Sequence, residues 1–515
     1  MKYGFVIDNR KCIGCHACTV ACKAEHDVPV GVNRTWVKYI EKGSFPDTRR
    51  HFSVMRCNHC DDAPCIEICP VSSLFRREDG IVDFDSRRCI GCKACMQACP
   101  YDALYIDPQT HTASKCNYCA HRIDIGLEPA CVNVCPEGAI VSGDMDNPQT
   151  KISGLLAKEQ VSARKVEKGT HPKLFYIEGD HASLIPTLSM PKNNYMWSSQ
   201  SKGVGHFAKK TKTFHFAGNQ SESGSEVASR VYDSPNKGVL WGKEVSAYVW
   251  TKAISCGVFF ILFFLHNLGF IFLPQTVRVF GVSVSLIFLA LTGALLIKDL
   301  DRPERFLYVL LRPQWRSWLV RGAYLISAYG LVLMLWFLNI FFLRNYLIDQ
   351  TLMIFGLILA PLVAIYTAFL FAQSKGRDLW QSPMLSIHMV MHSILTGSAV
   401  ILLSSYFFSD LVPLQLWMRW ILIISILLQC FFLFIEFFTS HVTSDAKTAV
   451  NIMMRGRYKD YFWGFVFVLG NVFPVIMLLF FPIQALMILS SIFILMGVLI
   501  STHLWVKIPQ LIPLS

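Results

Sequence analysis

The sequence offers no glycine-rich nucleotide loop and no nucleophile set beside a base, so chemistry on a substrate is not expected of this chain itself. No secretory signal opens it, which argues against a disulfide-stapled extracellular scaffold. Only 16% of the residues are charged. Beyond about residue 245, long runs of Phe, Leu, Ile and Val leave charge mostly between them. The net charge of +12 therefore does not point to nucleic acid, because membrane topology explains basic loops between apolar runs. Cysteine is scarce outside one stretch: of eighteen, only Cys256 and Cys430 fall outside residues 12–135.

The other sixteen form four groups of four. They are Cys12, Cys15, Cys18 and Cys22; Cys57, Cys60, Cys65 and Cys69; Cys89, Cys92, Cys95 and Cys99; and Cys116, Cys119, Cys131 and Cys135. The first and third read C-I-G-C-x-A-C-x-x-A-C, the ferredoxin spacing in which three close thiolates hold one cubane and a fourth reaches the neighbouring one. Four [4Fe–4S] clusters are expected. Structural zinc uses C-x-x-C pairs without the third close cysteine. Cys12-Ile13-Gly14-Cys15-His16 also fits c-type haem attachment, but the sister group keeps the spacing with Lys93 in place of histidine, so His16 is expected at the surface.

A membrane helix takes about 20 apolar residues. Eight candidate spans lie near 247–272, 279–297, 321–343, 351–373, 384–408, 417–438, 461–483 and 485–506. The fold class is thus an α+β, duplicated ferredoxin-like iron–sulfur head followed by an all-α transmembrane bundle of eight helices. The expected division is a head over 1–186, a linker or strap over 187–244 and a bundle over 245–515. Strand-like Y-G-F-V-I-D at Tyr3–Asp8 precedes the first group, and Gly80–Asp83 and Ala103–Ile106 flank the third. Residues 23–56 and 120–130 read as insertions, and Trp241, Tyr248 and Trp250 as a membrane-interface belt. Loops on the side of both termini carry Arg302, Arg305, Arg312, Arg316, Arg321, Arg377, Arg455 and Arg457, against Arg278, Arg344 and Arg419 opposite. By the positive-inside rule the head faces the cytoplasm, or the periplasm if a twin-arginine partner exports it folded.

Residues 1–180, with C-N-H-C-D-D-A-P-C-I-E-I-C-P and C-V-N-V-C-P-E, resemble the four-cluster subunits of molybdopterin oxidoreductases such as dimethyl sulfoxide and polysulfide reductases. Residues 241–515, with W-T-K at Trp250–Lys252, D-L-D-R-P-E-R-F at Asp299–Phe306 and Y-T-A-F-L at Tyr366–Leu370, resemble their NrfD-type quinone-reactive membrane subunits. The resemblance implies a fusion that passes electrons between membrane quinone (menaquinone or ubiquinone) and a catalytic molybdopterin subunit, without haem. It also implies a pairing: Cys12, Cys15 and Cys18 with Cys135; Cys116, Cys119 and Cys131 with Cys22; Cys57, Cys60 and Cys65 with Cys99; Cys89, Cys92 and Cys95 with Cys69.

Ionisable groups inside a membrane are costly, so their placement is informative. Lys252 and Ser255 lie early in span one, Tyr366 late in span four, His388 and His392 early in span five, and Glu436 late in span six. All are expected at the head-facing end, where a quinone needs hydrogen-bond donors and a proton relay. Lys252 and Tyr366 are expected to hold the quinone with Ser255, His388 and His392 nearby, and Glu436 to exchange protons. The alternatives are snorkelling for Lys252, an interfacial belt for Tyr366 and a loop arginine as partner of Glu436. Asp299 with Arg302 and Arg305 reads as an ion-paired corner docking the head. A wire and anchor without a quinone site, or a redox-driven proton-translocating module, are the competing readings.

Overall fold

The computed structural model describes residues 1–44, 46–191, 228–234, 237–439, 441 and 443–515. Among these, the head contributes β1 (Tyr3–Asp8), β2 (Thr35–Ser44), β3 (Asp47–Arg56), β4 (Leu74–Arg76), β5 (Val82–Phe84), β6 (Leu104–Ile106) and β7 (Ala113–Lys115). Then come β8 (Ile140–Asp144), β9 (Val161–Ser162), β10 (Leu174–Ile177), β11 (Met190–Pro191) and β12 (Ser229–Tyr232). β1 is apolar on both faces because it is interior, in a sheet ordered β8–β1–β10–β9. Residues 23–56 are more than an insertion. Their alternation T-W-V-K-Y-I forms the long hairpin β2–β3, to which β12 and β11 add in a second sheet. The proposed strap thus has described ends that pair within the head, and its central part, 192–227, lies outside the described residues.

Each cysteine group bends into a short helix: α1 (Ala17–Glu25), α2 (Pro64–Ile68), α3 (Ala94–Ala98), α4 (Ala120–Ile123) or α5 (Ala130–Asn133). His16 before α1 and Lys93 before α3 both adopt the left-handed conformation, each with φ 61°, so the duplication extends to the backbone. His16 is not simply a surface residue, as expected. It is half-buried against the rings of Tyr39 and Tyr232, because β2 and β12 cover that loop.

Among the described residues, eight helices are long and apolar enough to cross a membrane: Lys243–Asn267, Gln275–Lys298, Trp318–Leu343, Tyr346–Gln373, Met384–Ser404, Ser409–Phe438, Tyr461–Phe480 and Gln484–Leu511, spans one to eight. Span one is central, packed on spans two, four, five and eight. It meets span five backbone to backbone, where a Cβ on Gly257 would collide with the Ser393 carbonyl and with Gly397. The expected belt is corrected at Trp241 and Tyr248. Both are buried, because the head sits on this end of the bundle and keeps lipid headgroups away.

Overpacking a tight crossing costs about 1–3 kcal/mol or more. Gly257→Leu is therefore expected to lower the thermal transition of the detergent-solubilised protein or abolish its folded yield. Gly293→Leu, where a Cβ meets nothing within 4 Å, is expected to leave both unchanged.

Candidate functional site

The four cysteine groups interleave into four rings. Cys12, Cys15, Cys18 and Cys135 line a cavity of about 330 Å³, the outer ring. Cys57, Cys60, Cys65 and Cys99 line another of about 310 Å³, the third ring. Cys22 interacts electrostatically with Cys116, Cys131 and Cys119, which with it make the second ring, and with Arg56. Cys69, Cys89, Cys92 and Cys95 neighbour one another in the same way, the inner ring. Electrostatic interactions between rings give their order: Cys18 interacts with Cys131, Cys57 with Cys116, and Cys95 with Cys65.

The donors suit metal. The thiols of the outer and third rings surround voids, as a cubane requires. Backbone amides point at the sulfurs, from Ser73 to Cys69 at 3.3 Å, Gly91 to Cys89 at 3.4 Å and Ala113 to Cys89 at 3.3 Å, which favours thiolate over thiol. Burial pushes the free thiols the other way, Cys18 to about 12, so metal binding would displace protons.

In the bundle, Lys252 and Tyr366 come together. The Lys252 ammonium is 1% exposed, donates to the Ala364 carbonyl at 3.0 Å and to Thr367 Oγ1 at 2.5 Å, and lies 4.4 Å from the centre of the Tyr366 ring. Neither snorkels nor sits in a lipid belt, and the cation–π contact offsets part of the cost of burying the charge. Ser255 is turned elsewhere, its hydroxyl donating to the Ser285 carbonyl at 2.7 Å. His388 and His392 occupy the other half of the bundle, both facing Gln429 of span six at 3.4 and 3.3 Å. Glu436 is also there, and its partner is the Ser382 hydroxyl at 2.9 Å rather than a loop arginine.

Residues 233–511 match the family model for polysulphide reductase NrfD, which is more than half of the chain. The chain thus belongs to the NrfD family. Ahead of that region, residues 11–74 and 49–145 match models of the 4Fe-4S dicluster domain, so this NrfD protein carries iron–sulfur clusters in its head. A tetrathionate reductase subunit of Salmonella typhimurium is 42% identical over 191 residues, which are 36% of this chain and 76% of that protein. A polysulfide reductase polypeptide of Wolinella succinogenes is 42% identical over 181 residues, 34% of this chain and 94% of that protein. The arsenate respiratory reductase iron-sulfur subunit ArrB of a Shewanella species is 34% identical over 227 residues, 34% of this chain and 96% of that protein.

The NrfD bundle grips the inner ring directly. Trp241 Nε1 donates to the Cys92 carbonyl at 3.1 Å, and its ring stacks on Trp380 at 5.5 Å. The Asp299–Phe306 loop docks the head, though not as expected. Arg302 donates to the Thr110 carbonyl and Arg305 to those of Ser86 and Cys89, while the ion pair is Lys93 with Asp301 at 3.1 Å. Asp299 offers its carbonyl to Lys93, and burial raises its carboxyl to about 7. Sequence reasoning missed the polar seam beside this loop. Gln97 donates to Gln510 at 2.6 Å and accepts from Arg377 at 2.9 Å, and Arg377 also donates to the carbonyls of Pro509 and Ile512. No local pattern announces a pair 413 positions apart.

The side chains of Lys93 and Asp301 are 9% and 5% exposed. Removing one member of a buried pair costs about 3–5 kcal/mol because the other charge is stranded. Lys93→Met is thus expected to loosen the head in this NrfD protein, read as faster proteolytic release of a head fragment from membranes. Removing both charges in Lys93→Met with Asp301→Leu is expected to recover most of the loss.

Proposed function

We propose that this chain moves electrons between membrane quinol or quinone and a catalytic partner subunit through four [4Fe–4S] clusters, one held by each ring. The observation that carries the reading is the continuous order of the rings, ending at Cys92 against Trp241 on the bundle. When bound, each cluster supplies a site that takes up or gives back one electron. Quinol oxidation releases two electrons and two protons, and quinone reduction consumes them.

In this reading Lys252 and Tyr366 face the quinone oxygen and ring, Lys252 exchanging its bond to Thr367 for one to the substrate. Glu436, with Ser382, is assigned to proton exchange at the head-facing end of span six. Ser255 and His392 already have partners in the bundle and receive no role in binding, while His388 bonds Gln429 through Nδ1 and keeps a buried Nε2 without a partner among the described residues.

The catalytic partner docks at the opposite end, over the outer ring. Cys15 is exposed there, with Ile13 and Val20 beside it. The likeness to tetrathionate, polysulfide and arsenate reductase subunits supports a reductase as that partner, of the molybdopterin class by the resemblance in the cysteine motifs. Arg302, Arg305 and Arg377 hold the head or tail, and the excess of arginines on this side, with Arg312, Arg316, Arg321, Arg455 and Arg457, supports a cytoplasmic head.

The purified chain is expected to hold roughly sixteen irons and as many acid-labile sulfides, by the composition of four cubanes. Lys252→Met and Tyr366→Phe are each expected to slow cluster reduction by quinol at least about tenfold, about 1.4 kcal/mol of lost interaction, with iron content unchanged. Stopped-flow absorbance at the cluster bands reads this. Undiminished reduction in both variants would instead make the bundle a wire and anchor.

A further inference from the structure

Of the cations buried in the head without a carboxylate ion pair among the described residues, Lys38, Arg56, Lys115 and Arg164, two stand beside cysteine sulfurs. Arg56, at the end of β3, is 1% exposed. Its Nη1 lies 3.1 Å from Cys131 Sγ and its guanidinium 4.4 Å from the centre of the Phe5 ring, while Nε and Nη2 have no protein partner. Its charge reaches Cys18 of the outer ring and Cys116 and Cys131 of the second. Lys115, at the end of β7, is fully buried, donates to the carbonyls of Val82 and Cys116, and stands beside Cys57 and Cys65 of the third ring.

An unpaired buried cation is destabilising unless anions or dipoles face it, and here cysteine sulfurs face both side chains, with two carbonyls also on Lys115. We propose that Arg56 and Lys115 raise the reduction potentials at the two outer junctions of the line, and that the second ring, which both touch, becomes its most easily reduced point. This rests on the four-cluster reading. A cubane with four thiolates becomes more negative when it accepts an electron, so a fixed neighbouring cation favours the reduced form, and N–H donors aimed at sulfur act in the same direction. Among the described residues the inner ring has no fully buried unpaired cation: Lys93 beside it is paired with Asp301, and Arg305, which donates to the Cys89 carbonyl, is only half-buried.

The test is an EPR-monitored redox titration of the intact membrane protein, as wild type, Arg56→Gln, Arg56→Lys and Lys115→Gln. Arg56→Gln is expected to lower the midpoints of two of four components and Lys115→Gln those of two, with one component common to both pairs and one moved by neither. Arg56→Lys, which keeps the charge, is expected to restore most of the shift. Unchanged midpoints, or a uniform shift of all four components, with iron content intact would overturn the proposal, since a residue that only supports packing would not produce the overlapping pairs. Should Arg56→Gln fail to assemble, Arg56→Lys and Lys115→Gln still decide, because an unmoved third-ring component in Lys115→Gln overturns the assignment alone. Fewer than four components in the wild type would sink the underlying cluster count instead.

Discussion

Electron transfer between separated centres weakens exponentially with distance, and that constraint explains why the head is pressed onto the bundle with nothing between them. One continuous core joins the cysteine loops around residues 57–116 to the ends of spans one, four, five and eight. Polar groups close the remaining gaps. The part-buried carbonyls of Cys89 and Cys92 accept from Arg305 and Trp241. The attachment is therefore made at the backbone of the inner ring itself.

The duplication explains how one design yields two different ends. Gly14 and Gly91 occupy matching places in C-I-G-C, both at positive φ, and a side chain on either would strike a neighbour. At Gly14 that neighbour is Phe52 of the head's own hairpin, and at Gly91 it is Asp301 of the bundle loop. Likewise His16 is covered by tyrosines where Lys93 reaches Asp301. The first copy faces its own domain and leaves Cys15 open; the second is turned to the membrane.

What the sequence made legible were features with a short period or a costly composition. Cysteine spacing announced the iron–sulfur head, and uninterrupted apolar runs announced eight spans within a few residues. The nearness of Lys252 and Tyr366 also followed from their depth along the chain. Depth, however, says nothing of direction around a helix, so Ser255 turned towards span two and the paired histidines fell in the other half of the bundle. The Gln97–Gln510–Arg377 seam joins three distant loops, and its residues look ordinary in each of them. Interface aromatics were misread for a related reason: a tryptophan near a span end looks the same whether lipid or a folded domain lies above it.

The seam also orders the making of the molecule. Gln510 and the backbone around it reach the head 413 positions after Gln97 has left the ribosome, and Leu514 accepts from Arg164 in the same late stretch. Until then the underside of the head lacks these contacts, so the stretch of chain made last is also the one that completes the joint between head and bundle.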